Sequence, residues 1–376
     1  MKQTMGMLSG TDVMQGGMGI RFAVREDIPA IMEFIEEYWA HGHILAHDRE
    51  LFDFQYVYGD EVCFVLQENP KSGSIESVLG YIPYGTEGER DIFSAIWKVG
   101  KKDGFLPGME LIRFLEAHGR CRNLLGVGLA TGAVSMMKYL RKKIGDFEHY
   151  YRLNPAVSEF RIAEIKTIPP SKPVAEASEP ADAEQVPAFD MGGKQAPGRE
   201  EQEMPIWHRV RAFEEIEEAV ETWQTGRVPW KSAEFVRRRY FAHPEYVYEA
   251  WHIAYGGRDG LLICRAQEAE GRSIYRIIDL IGDVSVLAGT EKLFAEQFAE
   301  HGYEYADCLV YGMDEVVMKK AGFVKRTEAD GNIIPNYFEP FERRNITIHN
   351  YMPKQDQIVM FRGDGDQDRP SIRKKG

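Results

Sequence analysis

The sequence contains no run of about 18 apolar residues, so no segment reads as a helix crossing a bilayer. Cysteine is scarce: Cys63, Cys121, Cys264 and Cys308 are the four, far apart and without a CxxC pair. That excludes a thiolate knuckle and a disulfide framework, and it fits reduced core residues of a cytoplasmic protein. Net positive charge is also missing. With 46 Lys and Arg against 59 Asp and Glu, the chain carries about −13, which leaves no broad basic surface for nucleic acid or an anionic membrane. The first residues lack a basic stretch followed by an apolar one, so 1–19 reads as a flexible leader rather than a signal peptide. What is present is ample core material, 44% hydrophobic and 12% aromatic over 376 residues, too long for one typical core and suited to two domains.

Composition places the boundary. From Pro169 to Glu200 six prolines stand among Ala, Glu, Ser and Gly, with few large apolar residues. Such a stretch cannot bury enough surface to offset its ordering entropy. The expected organisation is therefore a domain at 20–166, a linker at 167–205, a second domain at 206–350 and a polar tail at 351–376.

Before the linker, a strand is followed by a helix with Ile28, Ile31, Phe34 and Ile35 at helical spacing, then a hairpin from Val62 to Gly85. From Asp91 to Leu153 the pattern is a strand, a basic Gly-containing turn, a helix, a strand, a helix over Ala133–Ile144 and a closing strand. After the linker the order returns in weaker form. A helical pattern (Phe213, Ile216, Val220, Trp223) precedes a hairpin, a strand, a helix, a strand, a short helix and the strand-like IIPNYFEPF.

Charge separates the two copies. Between Lys101 and Lys143 nine basic residues face three acids, whereas between Gly282 and Lys325 eight acids face four lysines. A cationic field inside an acidic chain implies a local anionic ligand in the first half, where the first turn of a helix beginning near Met109 would add a positive dipole end. The second segment would repel a polyanion.

This order of elements over Ile20–Leu153, with the turn Gly104-Phe-Leu-Pro-Gly108-Met-Glu110, resembles a domain of the GCN5-related N-acetyltransferase (GNAT) superfamily. The phrase VVMKKAGF looks like the family's helix ending in a Gly-Phe turn. The implied fold is α/β (α+β): two tandem GNAT (acyl-CoA N-acyltransferase) domains, each a mixed, mostly antiparallel twisted sheet flanked by helices, the second degenerate. The resemblance further implies acetyl-CoA as acyl donor, gripped between splayed strands Ile92–Val99 and Asn123–Leu129. It assigns Trp97, Lys98, Val99, Lys101, Lys102, Gly104, Pro107, Gly108, Met109 and Met137 to the cofactor, and the oxyanion to a backbone N–H near Val99. The sequence departs from the family pattern at Phe105, where Arg or Gln is usual, and at Glu110, where a small residue is usual. Met137 stands where a thiolate-protonating tyrosine is frequent, and Arg141 where a glycine is. Tyr139 lies about 200° from Met137 around a helix and cannot replace that tyrosine.

The cluster His41-Gly-His43-Ile-Leu-Ala-His47-Asp48 follows the first helix, where the family often builds its acceptor pocket. A neutral His43 or His41, with an ordinary pKa near 6.5, could take a proton from an acceptor ammonium; Asp91 is the third candidate. No metal is expected, since nothing fixes these ligands on one rigid element. Asp364, Asp366 and Asp368 have the spacing of half a calcium loop but lack its bidentate Glu, so a polar turn is expected there. Asn332–Asn345 mixes amides, aromatics, acids and arginines as carbohydrate pockets do. Together with the phrase HILAHDRELFDFQY, the tandem resembles bacterial proteins of surface-polysaccharide pathways. The favoured acceptor is thus a small-molecule amine, an amino sugar or a nucleotide-activated sugar. The competing readings are a tandem aminoacyl transferase and a non-catalytic acyl-CoA- or sugar-binding protein.

Overall fold

The computed structural model describes residues 19–85, 88–100, 106–169, 204–224, 226–354 and 357–371; Lys101, Lys102, Gly104 and Phe105, and most of the expected linker, lie outside them. Mixed, mostly antiparallel strands form two sheets flanked by helices, the fold class expected. In the first sheet the order is Gly19–Ala23, Glu61–Glu68, Ile75–Pro83, Arg90–Val99, Cys121–Leu129, His349–Met352 and Lys143–Asp146. In the second it is Ile206–Val210, Glu249–Tyr255, Arg258–Ala269, Arg272–Gly282, Tyr305–Tyr311, Glu148–Leu153 and Val324–Lys325.

These orders show a reciprocal exchange that the sequence reading did not anticipate. The strand Glu148–Leu153, expected to close the first sheet, pairs antiparallel with Tyr305–Tyr311 of the second. In return His349–Met352 pairs with both Cys121–Leu129 and Lys143–Asp146 of the first. The sheets therefore do not divide at the linker. IIPNYFEPF closes neither sheet; Tyr337–Phe338 and Phe341–Glu342 form a separate two-stranded ribbon. Two further local expectations differ. The helix expected to reach Ile144 ends at Tyr139, with Arg141 in a left-handed conformation and Ile144 in a strand. The Phe213–Trp223 pattern gives a 3-10 turn over Phe213–Glu215 followed by turns, although Phe213, Ile216 and Val220 are buried as the spacing demands.

Alternation along strands shows how the halves share a core. On Arg258–Ala269, Leu261 and Ile263 join the apolar cluster of the first sheet, together with Phe64, Ile92 and Phe93. Leu262 and Cys264, pointing the other way, pack with Phe294 and Phe298 of the helix Glu291–His301. The strands Glu61–Glu68 and Ile75–Pro83 are almost continuously buried, as expected of strands covered on both faces.

Candidate functional site

The strands Arg90–Val99 and Cys121–Leu129 run parallel, paired from Arg90–Cys121 to Ser94–Gly126 with one register shift between Arg90 and Asp91, and there the pairing ends. On the opposite edge Leu79 faces Trp97 and Tyr81 faces Ser94, so two residues, Ala95 and Ile96, stand against Gly80 alone. This bulge bends the strand, and beyond Ser94 the two parallel strands diverge into a V. Trp97, Lys98 and Val99 lie on the arm that stays paired with Leu79, Val78 and Ser77 on one side and has no pairing with Cys121–Leu129 on the other.

The helix Leu106–His118 starts beside that arm. Pro107 and Gly108 are in its first turn, where a missing amide hydrogen costs least, and Met109, Leu111, Ile112 and Leu115 are buried against the sheet. A Cβ at Gly108 would stand 3.2 Å from the Trp97 ring, so this glycine lets the helix start approach the strand. Glu110 Oε2 and Trp97 Nε1 are buried without a hydrogen-bond partner among the described residues. The basic field is partly spent internally: Lys142 pairs with Glu116 and Arg122 with Asp91. Met137 is fully buried core.

The second sheet has the corresponding parallel pair, Tyr275–Ala306 to Ile277–Cys308, which also ends early. Its V is filled by the chain itself. Met360–Phe361 pairs with Val310 and Tyr311, Arg362 N donates to Leu309 O at 3.1 Å and Gly363 N donates to Ile278 O at 2.7 Å. Both arms are thereby bridged.

A cavity of about 250 Å³ is lined by Gly128 of the strand Cys121–Leu129 and by Gln367, and extends to Tyr246, Arg265, Tyr337 and Arg362. At Gly128, with φ +75°, a Cβ would lie 2.1 Å from Gln367 Nε2. Only glycine permits this approach.

The residues expected to be polar tail build much of this cavity. Asp364, Asp366 and Asp368 are buried and each is paired with a cation: Asp364 with Lys231 at 2.8 Å, Asp366 with Arg369, and Asp368 with Arg265 at 2.7 Å. Tyr248 OH also donates to Asp368, at 2.8 Å. The guanidiniums around Asp368 hold its carboxyl well below the usual range against the opposing effect of burial. No local pattern announces such pairing; the signal available was only that three acids recur between Arg362 and Arg369.

The candidate bases are distributed differently. His41 is exposed, with Nδ1 2.5 Å from Glu36, and His47 Nε2 is 2.9 Å from the same carboxylate. Asp48 caps the helix Arg49–Tyr56, accepting from Leu51 N at 3.0 Å. His43 is buried; its Nδ1 accepts from Leu45 N at 3.2 Å and its ring meets Trp39 edge-on at 4.9 Å. Burial, reinforced by the Arg369 guanidinium, pushes its pKa down to about 3 rather than the 6.5 expected. The last described residues pack here, Ile44 N donating to Ser371 O and Arg369 stacking over Trp39 at 5.0 Å. Asp91 is buried and committed: its carboxylate accepts from Arg122 Nε at 3.0 Å, Asn123 Nδ2 at 2.8 Å and Trp230 N at 2.8 Å. The amides of Asn332 and Asn345 are likewise committed, and that of Asn336 in part, its Oδ1 being buried without a partner among the described residues. Asn332 Oδ1 accepts from Lys166 N and Thr167 N, Asn336 Nδ2 donates to Ile346 O, and Asn345 Oδ1 accepts from Ile334 N. None of the three candidate bases lines the cavity.

No protein-family model and no curated protein matches the sequence. Solved structures similar to it include a GCN5-related N-acetyltransferase from Anabaena variabilis (11% identity, 89% of this chain, 72% of that one, TM-score 0.48). Another is a GCN5-related N-acetyltransferase from Sphaerobacter thermophilus (13% identity, 89% and 95%, TM-score 0.37). A third is the Saccharomyces cerevisiae N-myristoyltransferase with bound myristoyl-CoA (7% identity, 91% and 80%, TM-score 0.42). Among the described residues no helix is long and apolar enough to cross a membrane.

Proposed function

We propose that this chain is an acyl-CoA-dependent N-acyltransferase, with acetyl-CoA as donor, that acylates a small amine held between its two halves. One observation carries the reading: the pairing of Arg90–Val99 with Cys121–Leu129 ends at Ser94–Gly126, and Gly128, two residues further along the second strand, lines the cavity. On its edge toward Cys121–Leu129, where strand pairing has ended, Trp97–Val99 would offer backbone groups to a pantetheine chain lying along it. The first turn at Pro107, Gly108 and Met109 is the helix start that would take the pyrophosphate, and Lys101, Lys102 and Gly104 precede that turn in sequence.

The chemistry is direct transfer. The neutral amine attacks the thioester carbonyl and a C–N bond forms as the C–S bond breaks; the proton lost by the amine passes to water and the departing thiolate takes one from water, giving the amide and free CoA thiol. A backbone N–H at the Ala95–Ile96 bulge is suited to the developing oxyanion, and holding both reactants in one cavity supplies much of the rate. An amino sugar in the cytoplasm is the acceptor class this reading favours, since Tyr246, Tyr337 and Phe338 offer flat faces among charged groups. The test is release of free CoA thiol from acetyl-CoA with a panel of small amines, alongside calorimetric titration of acetyl-CoA. Amine-dependent thiol release supports the reading; failure to bind acetyl-CoA or any longer acyl-CoA overturns it.

A further inference from the structure

Arg362 is a buried cation without a carboxylate of its own. It is 5% exposed, and its Nε and Nη1 have no hydrogen-bond partner among the described residues. Its nearest carboxylate, Asp368, is 4.0 Å away and already accepts from Arg265 Nη2 and Tyr248 OH. The guanidinium lies over the Tyr337 ring at 5.4 Å, and burial beside Arg276 lowers its pKa to about 10. Two more guanidiniums line the same cavity with an unused edge: Arg265 Nε and Arg369 Nε are buried and unpartnered among the described residues. The cavity's acids offer little in return. Asp366 is taken by Arg369, Asp368 by Arg265, and Glu339 accepts from Tyr246 OH at 3.1 Å.

Leaving a guanidinium desolvated and unsatisfied is costly, and its fork matches a carboxylate or phosphate better than any other small group. We infer that the acceptor is a zwitterionic amine whose anionic group, a carboxylate or a phosphate, is seated on Arg362. This rests on the cavity being the acceptor site of the proposed acyl transfer. An anion held at Arg362, on the second-half wall, would leave the amine end to reach the first V at Gly128.

The experiment is calorimetric titration of the full chain, without acyl-CoA, with two matched pairs: glucosamine 6-phosphate against glucosamine, and β-alanine against propylamine. The anionic member of at least one pair should bind about 10-fold tighter or more, as a charge-assisted bidentate contact requires. The pair showing the preference distinguishes phosphate from carboxylate. R362M should erase it. R362K, which keeps the charge but loses the fork, should weaken the anionic member about 3-fold or more and leave the neutral member unchanged. Equal binding within both pairs overturns the inference, as does a preference that survives in folded R362M or is unaltered in folded R362K. Because no acyl-CoA is present, an anion preference without acetyl-CoA binding sinks the acyl-transfer reading alone. Acetyl-CoA binding without an anion preference sinks this inference alone.

Discussion

Lys231 Nζ and Asp364 Oδ1 meet at 2.8 Å with neither side chain exposed, joining the segment after the linker to the chain's last fold-forming residues. The same ammonium contacts Asp279 on the strand Arg272–Gly282, and Tyr84 OH from the first sheet donates to Asp364 at 2.9 Å. One cation thus serves two carboxylates, and burial together with Asp279 raises the pKa of Asp364. Lys231→Met should cost about 3–5 kcal/mol by stranding both acids, whereas Asp364→Asn, which mimics the protonated form, should cost less. Urea midpoints of the two variants give the comparison; equal losses would mean that the lysine, not the acid pair, sets the energetics.

Acid should weaken the fold from about pH 6.5 downward. His43 and His243 are pushed to about 3, in each case first by burial, and the buried His149 is lowered by desolvation. A histidine whose folded pKa lies below its unfolded value binds fewer protons when folded. Its contribution is intact above about 6.5 and falls by up to about 1.4 kcal/mol per pH unit as pH drops toward the folded pKa. Asp307, held at about 2 by Arg276 and His149 despite its burial, adds loss only between about 4 and 2. Urea midpoints should be similar at pH 8 and 6.5 and fall from 6.5 to 5, and His243→Gln should flatten that fall. A level profile in the wild type would mean that these rings are solvated.

The same depression removes His43 from the pH dependence of turnover. With Nδ1 accepting from Leu45 N, the neutral ring carries its proton on Nε2 and stays neutral across the working range. His43→Gln should therefore leave the shape of the kcat/KM profile unchanged, the rise with pH belonging to the acceptor's own ammonium. Loss of a limb near pH 6–7 in this variant would restore His43 as the base.

Much of the architecture was legible because it is local. Ile28, Ile31 and Phe34 at helical spacing and the apolar runs at Val62–Leu66 and Val78–Ile82 each produced the element their pattern implies, whereas Gly108, expected in a turn, lies in the first turn of the helix Leu106–His118. The exchange of Glu148–Leu153 for His349–Met352 was not legible, since a strand's alternation states which faces it buries but not which sheet supplies its neighbours. For the same reason Asp364–Asp368 looked like a solvated turn: the cations that bury them, Lys231, Arg265 and Arg369, are mostly distant in sequence.

Gly126 is where the borrowed strand can be tested. A Cβ there would fall 2.1 Å from the Tyr351 ring and 2.7 Å from Ser94 Oγ. Gly126→Ala should destabilise by about 1–3 kcal/mol through overpacking, and Tyr351→Leu in the same chain should recover part of it. Additive losses in urea unfolding would place Tyr351 away from this strand.

One acyl-CoA should bind per chain, at the first V. The charge contrast is part of the reason, nine basic residues against three acids in one segment and eight acids against four lysines in its counterpart. Geometry supplies the rest. In the second sheet the Met360–Gly363 segment hydrogen-bonds to both diverging strands, at Leu309 O and Ile278 O, so a pantetheine would have to expel a buried piece of the fold. Calorimetric titration with acetyl-CoA should give a stoichiometry of about one, and Gly108→Ala, which sets a methyl group against the Trp97 ring, should weaken that binding. Two equal sites, or a single site insensitive to every substitution along Trp97–Met109, would place the cofactor elsewhere.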